Sequence, residues 1–128
     1  MGKKAILIDT NIFVDHLRNF TPAVKFFESI VEREDVYFSA ITEAELIAGK
    51  ANDDEYKREK LLHFLYRWDK IPVDNPLVIT AGDLARRCNL SIPDAIIAAT
   101  ALSNDTELIT KNIKHFNIVP NLRTKSPY

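Results

Sequence analysis

The sequence predicts an α/β protein of three layers, α/β/α, built as a single domain around a parallel sheet of four to five strands. Three observations predict it. Lys4 to Ile8 is rich in aliphatic residues without polar alternation, which suits a strand covered on both faces, and Val36 to Ala40 and Glu107 to Thr110 read as further strands. Segments of helical periodicity separate these runs, and strands joined through helices make parallel sheets with helices on either side. At 128 residues the chain is long enough for one substantial core and short enough to need no internal boundary.

Each element follows from its residues. Lys4 to Ile8 is the first strand, and Asn11 to Asn19 reads as a short helix. In TPAVKFFESIVER, Pro22 sits near a helix start and Val24, Phe27 and Val31 recur at helical spacing. VYFSA is the second strand, and ITEAELIAGKAN begins the next helix. DDEYKREKLLHFLYRWDK sets Leu61, Leu65 and Trp68 on one face with charges opposite, an amphipathic helix whose aromatics are spaced for packing. A short strand near Lys70 to Val73 precedes the helix NPLVITAGDLARRCN. SIPDAIIAATALSN is apolar nearly all round, so it belongs in the centre; ELIT is the fourth strand, and Asn117 to Val119 is expected as a fifth. The domain is expected to occupy residues 1–120, leaving 121–128 as a frayed polar tail.

Composition narrows the function classes. Seventeen Lys and Arg balance eighteen Asp and Glu, so net charge by itself neither recruits nor excludes nucleic acid. A lone cysteine, Cys88, excludes an intramolecular disulfide and a cysteine zinc site, and its expected place is the core. No apolar run approaches the roughly 18 residues of a membrane span, and none has the makeup of a signal peptide, so no membrane association and a cytoplasmic location are expected.

The acids then fall into a pattern. Asp9 closes the first strand, Glu43 and Glu45 follow the second, and Asp94 opens the apolar helix as its only charge; after the fourth strand Asn112 holds the equivalent position. Open parallel sheets place their sites at the carboxyl ends of the strands. Each acid alone is what a helix N-terminus favours: Asp9 as a cap, Thr42-Glu43-Ala44-Glu45 as a capping box, Ser91 to Asp94 as a near copy of one. Together they would crowd like charges, which is unfavourable unless a cation compensates. Oxygen-only ligands select Mg²⁺ or Mn²⁺ over Zn²⁺.

Four blocks in order, ILIDTNIFVD, SAITEAELIAG, IPDAIIAATAL and LITKNIKHF, resemble the motifs of the PIN domain, in particular its VapC-type toxin ribonucleases. The resemblance spans Ile6 to about Phe116. It implies a divalent-metal site built from acids, endonucleolytic cleavage of RNA, frequent homodimers and a separate antitoxin protein. By motif position Asp9 matches the first acid, Glu45 the second and Asp94 the third, the catalytic set; Asn11 matches the asparagine that orders the loop after the first strand, and Thr110 the hydroxyl ending the fourth. Asp9 and Asp94 would hold the metal, with Asn112 contributing directly or through water. Many relatives offer a fourth acid at the Asn112 position or just before the phenylalanine, where this chain has His115. Lys111, Arg18, Arg86 and Arg87 are candidates for contacts to RNA phosphates.

Two other readings share parts of the pattern. A phosphatase or phosphotransfer domain also places Asp after a first parallel strand, but the dehalogenase type wants a second Asp where Asn11 stands, and a receiver wants an acid where Phe38-Ser39-Ala40 has none. A non-catalytic interaction domain on the same fold is favoured by the missing fourth acid and opposed by retention of Asp9, Glu45 and Asp94.

Overall fold

Ile6, Leu7 and Ile8 are all buried, and the strand they form, β1 (Ile6–Ile8), is the middle of the sheet in a computed structural model that describes residues 4–128. Around it lie β2 (Val36–Ser39), β3 (Asp69–Ile71), β4 (Glu107–Ile109) and β5 (Thr124–Lys125), in the order β3-β2-β1-β4-β5, every neighbouring pair parallel. The helices are α1 (Thr10–Leu17), α2 (Thr21–Ile30), α3 (Ala40–Ile47), α4 (Glu55–Leu65), α5 (Asn75–Cys88), α6 (Ile92–Ser103) and α7 (Ile113–Phe116), with a 3-10 turn at Lys50–Asp53.

Alternation along β1 divides the core into two halves. Leu7 joins Leu108, Phe116 and the apolar residues of α5 and α6 on one face of the sheet. Ile6 and Ile8 join Ile12, Phe13, Phe27, Phe38, Leu61, Leu65 and Trp68 on the other. This is the three-layer α/β/α arrangement expected. Helix α6 is buried almost throughout, as its composition predicts, and Cys88 lies in the α5–α6 half of the core. Trp68 is core and Phe64 packs against it, stacked on His16 with ring centroids 4.0 Å apart. Among the described residues no helix is long and apolar enough to cross a membrane.

Three local expectations are corrected. Asn117 to Val119 is not a strand: the chain turns there after α7, and Val119 is buried by packing against the α5–α6 half of the core. The fifth strand lies instead in the stretch read as a frayed tail, residues 121–128. The amides of Leu108 and Thr110 donate to the carbonyls of Arg123 and Lys125, and the Tyr128 hydroxyl donates to Asp15 at 2.7 Å. Thr42 does not cap α3; Ser39 does, accepting from the Ile41 amide, and Thr42 sits fully buried inside the helix.

Candidate active site

The chain runs outward from β1 to β2 to β3, then crosses back to place β4 on the other flank of β1. That reversal makes the carboxyl ends of β1 and β4 the switch point of the sheet, where an open crevice forms. Ile8 pairs with Ile109, so the next residues, Asp9 and Thr110, emerge side by side at this point, with the Asp9 amide still bonded to the Ile109 carbonyl at 2.9 Å.

Both carboxylate oxygens of Asp9 are held. The Thr10 amide donates to Oδ1 at 2.8 Å, so Asp9 caps α1; the buried Thr110 hydroxyl donates to Oδ2 at 2.7 Å. Capping and site placement are the same geometry here. Thr110 also accepts from the Asn112 amide at 2.9 Å, which fixes the turn after β4.

Glu45, on the second turn of α3, is reached through Thr10, whose hydroxyl donates to Oε1 at 2.7 Å. The Thr10 and Thr42 hydroxyl oxygens are 2.8 Å apart. Thr10 has one hydroxyl proton and Glu45 takes it, so Thr42 must donate to Thr10. A buried threonine thereby orders a second threonine, which orders the glutamate. Glu43, two residues earlier, faces away and pairs with Lys70 at 3.3 Å.

Asp94 lies in the opening turn of α6, its amide 3.3 Å from the Ser91 hydroxyl that caps the helix. Its Oδ2 is 3.0 Å from Nε2 of His115, on α7. The fold thus brings Asp9, Glu45 and Asp94 to one end of the sheet in graded exposure: buried, exposed and intermediate respectively.

The charges bear on one another. Asp9 is pushed up from 3.8 to about 6, first by burial and further by the charges of Asp94 and Glu45, while the hydrogen bonds from Thr110 and Thr10 pull the other way. Burial wins.

Among the described residues, no group of three or more Asp, Glu, His or Cys side chains is placed so that together they could hold a metal ion, so a bound ion would draw on fewer of them with other oxygens. The donor set nevertheless fits a divalent cation. Its ligands are oxygens, no cation among the described residues is among the groups acting on Asp9, and the Asn11 side-chain carbonyl oxygen, two residues on, is buried with no hydrogen-bond partner. Asn112 is exposed at the start of α7, and its side chain makes no capping bond.

The cations expected to meet phosphate are dispersed. Lys111 follows Thr110 directly, but its ammonium donates to the main-chain oxygen of Tyr128 at 2.9 Å and lies over that ring. Arg18 caps the far end of α1, about 12 Å of helix from Asp9. Arg86 pairs with Asp83 at 2.9 Å, and Arg87 is exposed beside it on the last turn of α5. Sequence reasoning missed Thr10 and Thr42. The available signal was their place, one beside Asp9 and the other three residues before Glu45.

Comparisons with known proteins agree with this fold. The PIN domain family profile matches residues 6–121. Ribonuclease VapC19 of Mycobacterium tuberculosis is 35% identical over 123 residues, covering 91% of this chain and 96% of its own. A toxin–antitoxin complex from Klebsiella pneumoniae contains a chain that superposes with a TM-score of 0.81 at 28% identity, covering 96% of this chain and 98% of that one. A chain of the DNA-bound VapBC of Salmonella typhimurium superposes with a TM-score of 0.82 at 25% identity, covering 98% and 100%.

Proposed function

The chain belongs to the PIN domain family, and from that premise we propose that it is a metal-dependent endoribonuclease, the toxin of a toxin–antitoxin pair. Relatives named ribonucleases and neighbours solved as toxin–antitoxin complexes support the activity and the partner, a separate antitoxin chain that covers the site. The reading takes the chain as one nuclease domain, working in the cytoplasm as a homodimer.

One observation carries the reading. A carboxylate, Asp9, stands at the switch point of a parallel sheet, oriented by Thr110 and held above its usual range by burial and, to a smaller extent, by the charges of Asp94 and Glu45. Asp9 and Asp94 would hold Mg²⁺ or Mn²⁺, with Asn112 assisting through its carbonyl oxygen or a water. When bound, that ion supplies charge to offset the phosphate and lowers the pKa of a water.

The remaining work falls to the protein. Thr110 and the Thr10 amide keep the Asp9 carboxylate oriented and favour its ionised form. Glu45 keeps Oε1 on Thr10 and turns Oε2 to the attacking water, orienting it and accepting its proton. Attack in line on phosphorus leaves a 3′-hydroxyl and a 5′-phosphate. Lys111, Arg18, Arg86 and Arg87 steady the RNA backbone from the rim.

The test is cleavage of RNA by purified protein with Mg²⁺ or Mn²⁺, with EDTA, and by Asp94→Asn. Cleavage is expected only with metal and only from the wild type. Equal cleavage by wild type and Asp94→Asn in EDTA identifies a contaminating nuclease and removes the assignment. Metal binding without cleavage of any RNA would instead favour an interaction domain.

A further inference from the structure

We propose that His115 is a positioning residue for Asp94, a ring donor that holds one oxygen of that carboxylate; the inference rests on the metal-dependent reading above. The contact joins two elements 21 residues apart in the chain, Nε2 lying 3.0 Å from Asp94 Oδ2. Neither end is free to drift. Phe116, the next residue, is fully buried and pins α7 into the core, the His115 amide bonds to the Asn112 carbonyl at 3.1 Å, and the His115 ring meets the Phe116 ring edge to face at 5.7 Å. Asp94 is fixed from its own side by the Ser91 cap.

The chemistry gives the direction of the bond. An ionised carboxylate only accepts, so Nε2 carries the hydrogen, and both the neutral Nε2–H tautomer and the imidazolium satisfy this. The role therefore does not depend on the charge of the ring. With Oδ2 committed to His115, Oδ1 is the oxygen left for an ion, and a carboxylate whose side chain is 29% exposed is kept from swinging into water. The arrangement resembles the outer partners of metal ligands, which fix orientation without touching the ion, and whose loss weakens metal binding by about 10- to 100-fold.

The test compares wild type, His115→Phe and His115→Gln by the Mn²⁺ concentration giving half of the maximal rise in melting temperature, a readout that needs no RNA. Phenylalanine keeps a ring against Phe116 and removes the donor; glutamine offers an amide N–H near the place of Nε2. Both should melt near the wild type in EDTA. His115→Phe is expected to need about tenfold more Mn²⁺, and His115→Gln to return close to the wild-type value. Equal Mn²⁺ dependence in wild type and His115→Phe overturns the role of His115 and leaves the metal reading standing. A wild type that no Mn²⁺ concentration stabilises overturns the metal reading, and the role of His115 with it.

Discussion

Replacing Asp9 by asparagine should stabilise the metal-free protein near neutral pH while ending its activity. Raising a carboxyl from 3.8 to about 6 costs the ionised native state about 3 kcal/mol. The sign follows from proton counting. Between about pH 4 and pH 6 the native protein retains a proton on Asp9 that the unfolded chain has released, so stability falls as pH rises through that window. Above it the full penalty applies; below it none does.

Asparagine removes the charge but not the shape. Its carbonyl oxygen can still accept from the Thr10 amide, and its amide nitrogen then faces the Thr110 hydroxyl. Thr110 already accepts from the Asn112 amide, so it would accept twice and lose an acceptor for its own proton, at a cost of about 1 kcal/mol. The net gain is about 2 kcal/mol at neutral pH, or roughly 6 °C in a chain of this size. Thermal melts in EDTA at about pH 7.5 and about pH 4 measure it, since these values bracket the window. The variant should melt higher at the first and slightly lower at the second. A loss of stability near neutrality, or an equal gain at both values, would refute the claim that a buried, uncompensated charge sits at the end of β1.

Two further outcomes follow from the hydroxyl chain and the final strand. Thr10→Val removes the link between Thr42 and Glu45 and leaves the buried Thr42 hydroxyl without its acceptor; it should cost about 1 to 2 kcal/mol in urea unfolding and slow single-turnover RNA cleavage, while the backbone bond to Asp9 persists. Tyr128→Phe removes the donor to Asp15. Burial, with the neighbouring carboxylate, holds that phenol above its usual range, so it stays protonated and donating throughout neutral pH, and its loss should cost about 1 kcal/mol by the same assay.

The parts of the fold that could be read in the sequence are those whose signal is apolarity. β1 is a continuous aliphatic run, β2, β4 and the middle of α6 are largely apolar because both of their sides are covered, and α4 and α5 show one apolar face because one side is wet. β5 could not be read this way. Thr124 and Lys125 join the sheet through backbone bonds to β4, and polar side chains at a sheet edge carry no hydrophobic pattern to announce them. Val119 misled for the complementary reason: a single buried residue in a turn looks like the middle of a strand. At the site, the acids stood out because each follows a strand or opens a helix. Of their donors only Thr110 stood out, since Thr10, Thr42 and His115 meet the acids only when α1, α3 and α7 are brought to the same end of the sheet.

At that end of the sheet the three candidate site acids are oriented without being neutralised. Asp9, Glu45 and Asp94 are each tied to a donor that orients them, and none of these ties involves a lysine or arginine: Thr110 and Thr10 hold Asp9, Thr10 holds Glu45, and His115 meets Asp94. Elsewhere the chain pairs its acids readily, as in Arg33 with Asp35, Lys70 with Glu43 and Arg86 with Asp83. An arginine against Asp9 would have stabilised the fold and occupied the position an ion needs. Hydroxyl and amide donors orient without neutralising, so attraction for an external cation survives folding. The raised Asp9 is the energetic record of that choice, and it ties the stability gained by losing the charge to the function lost with it.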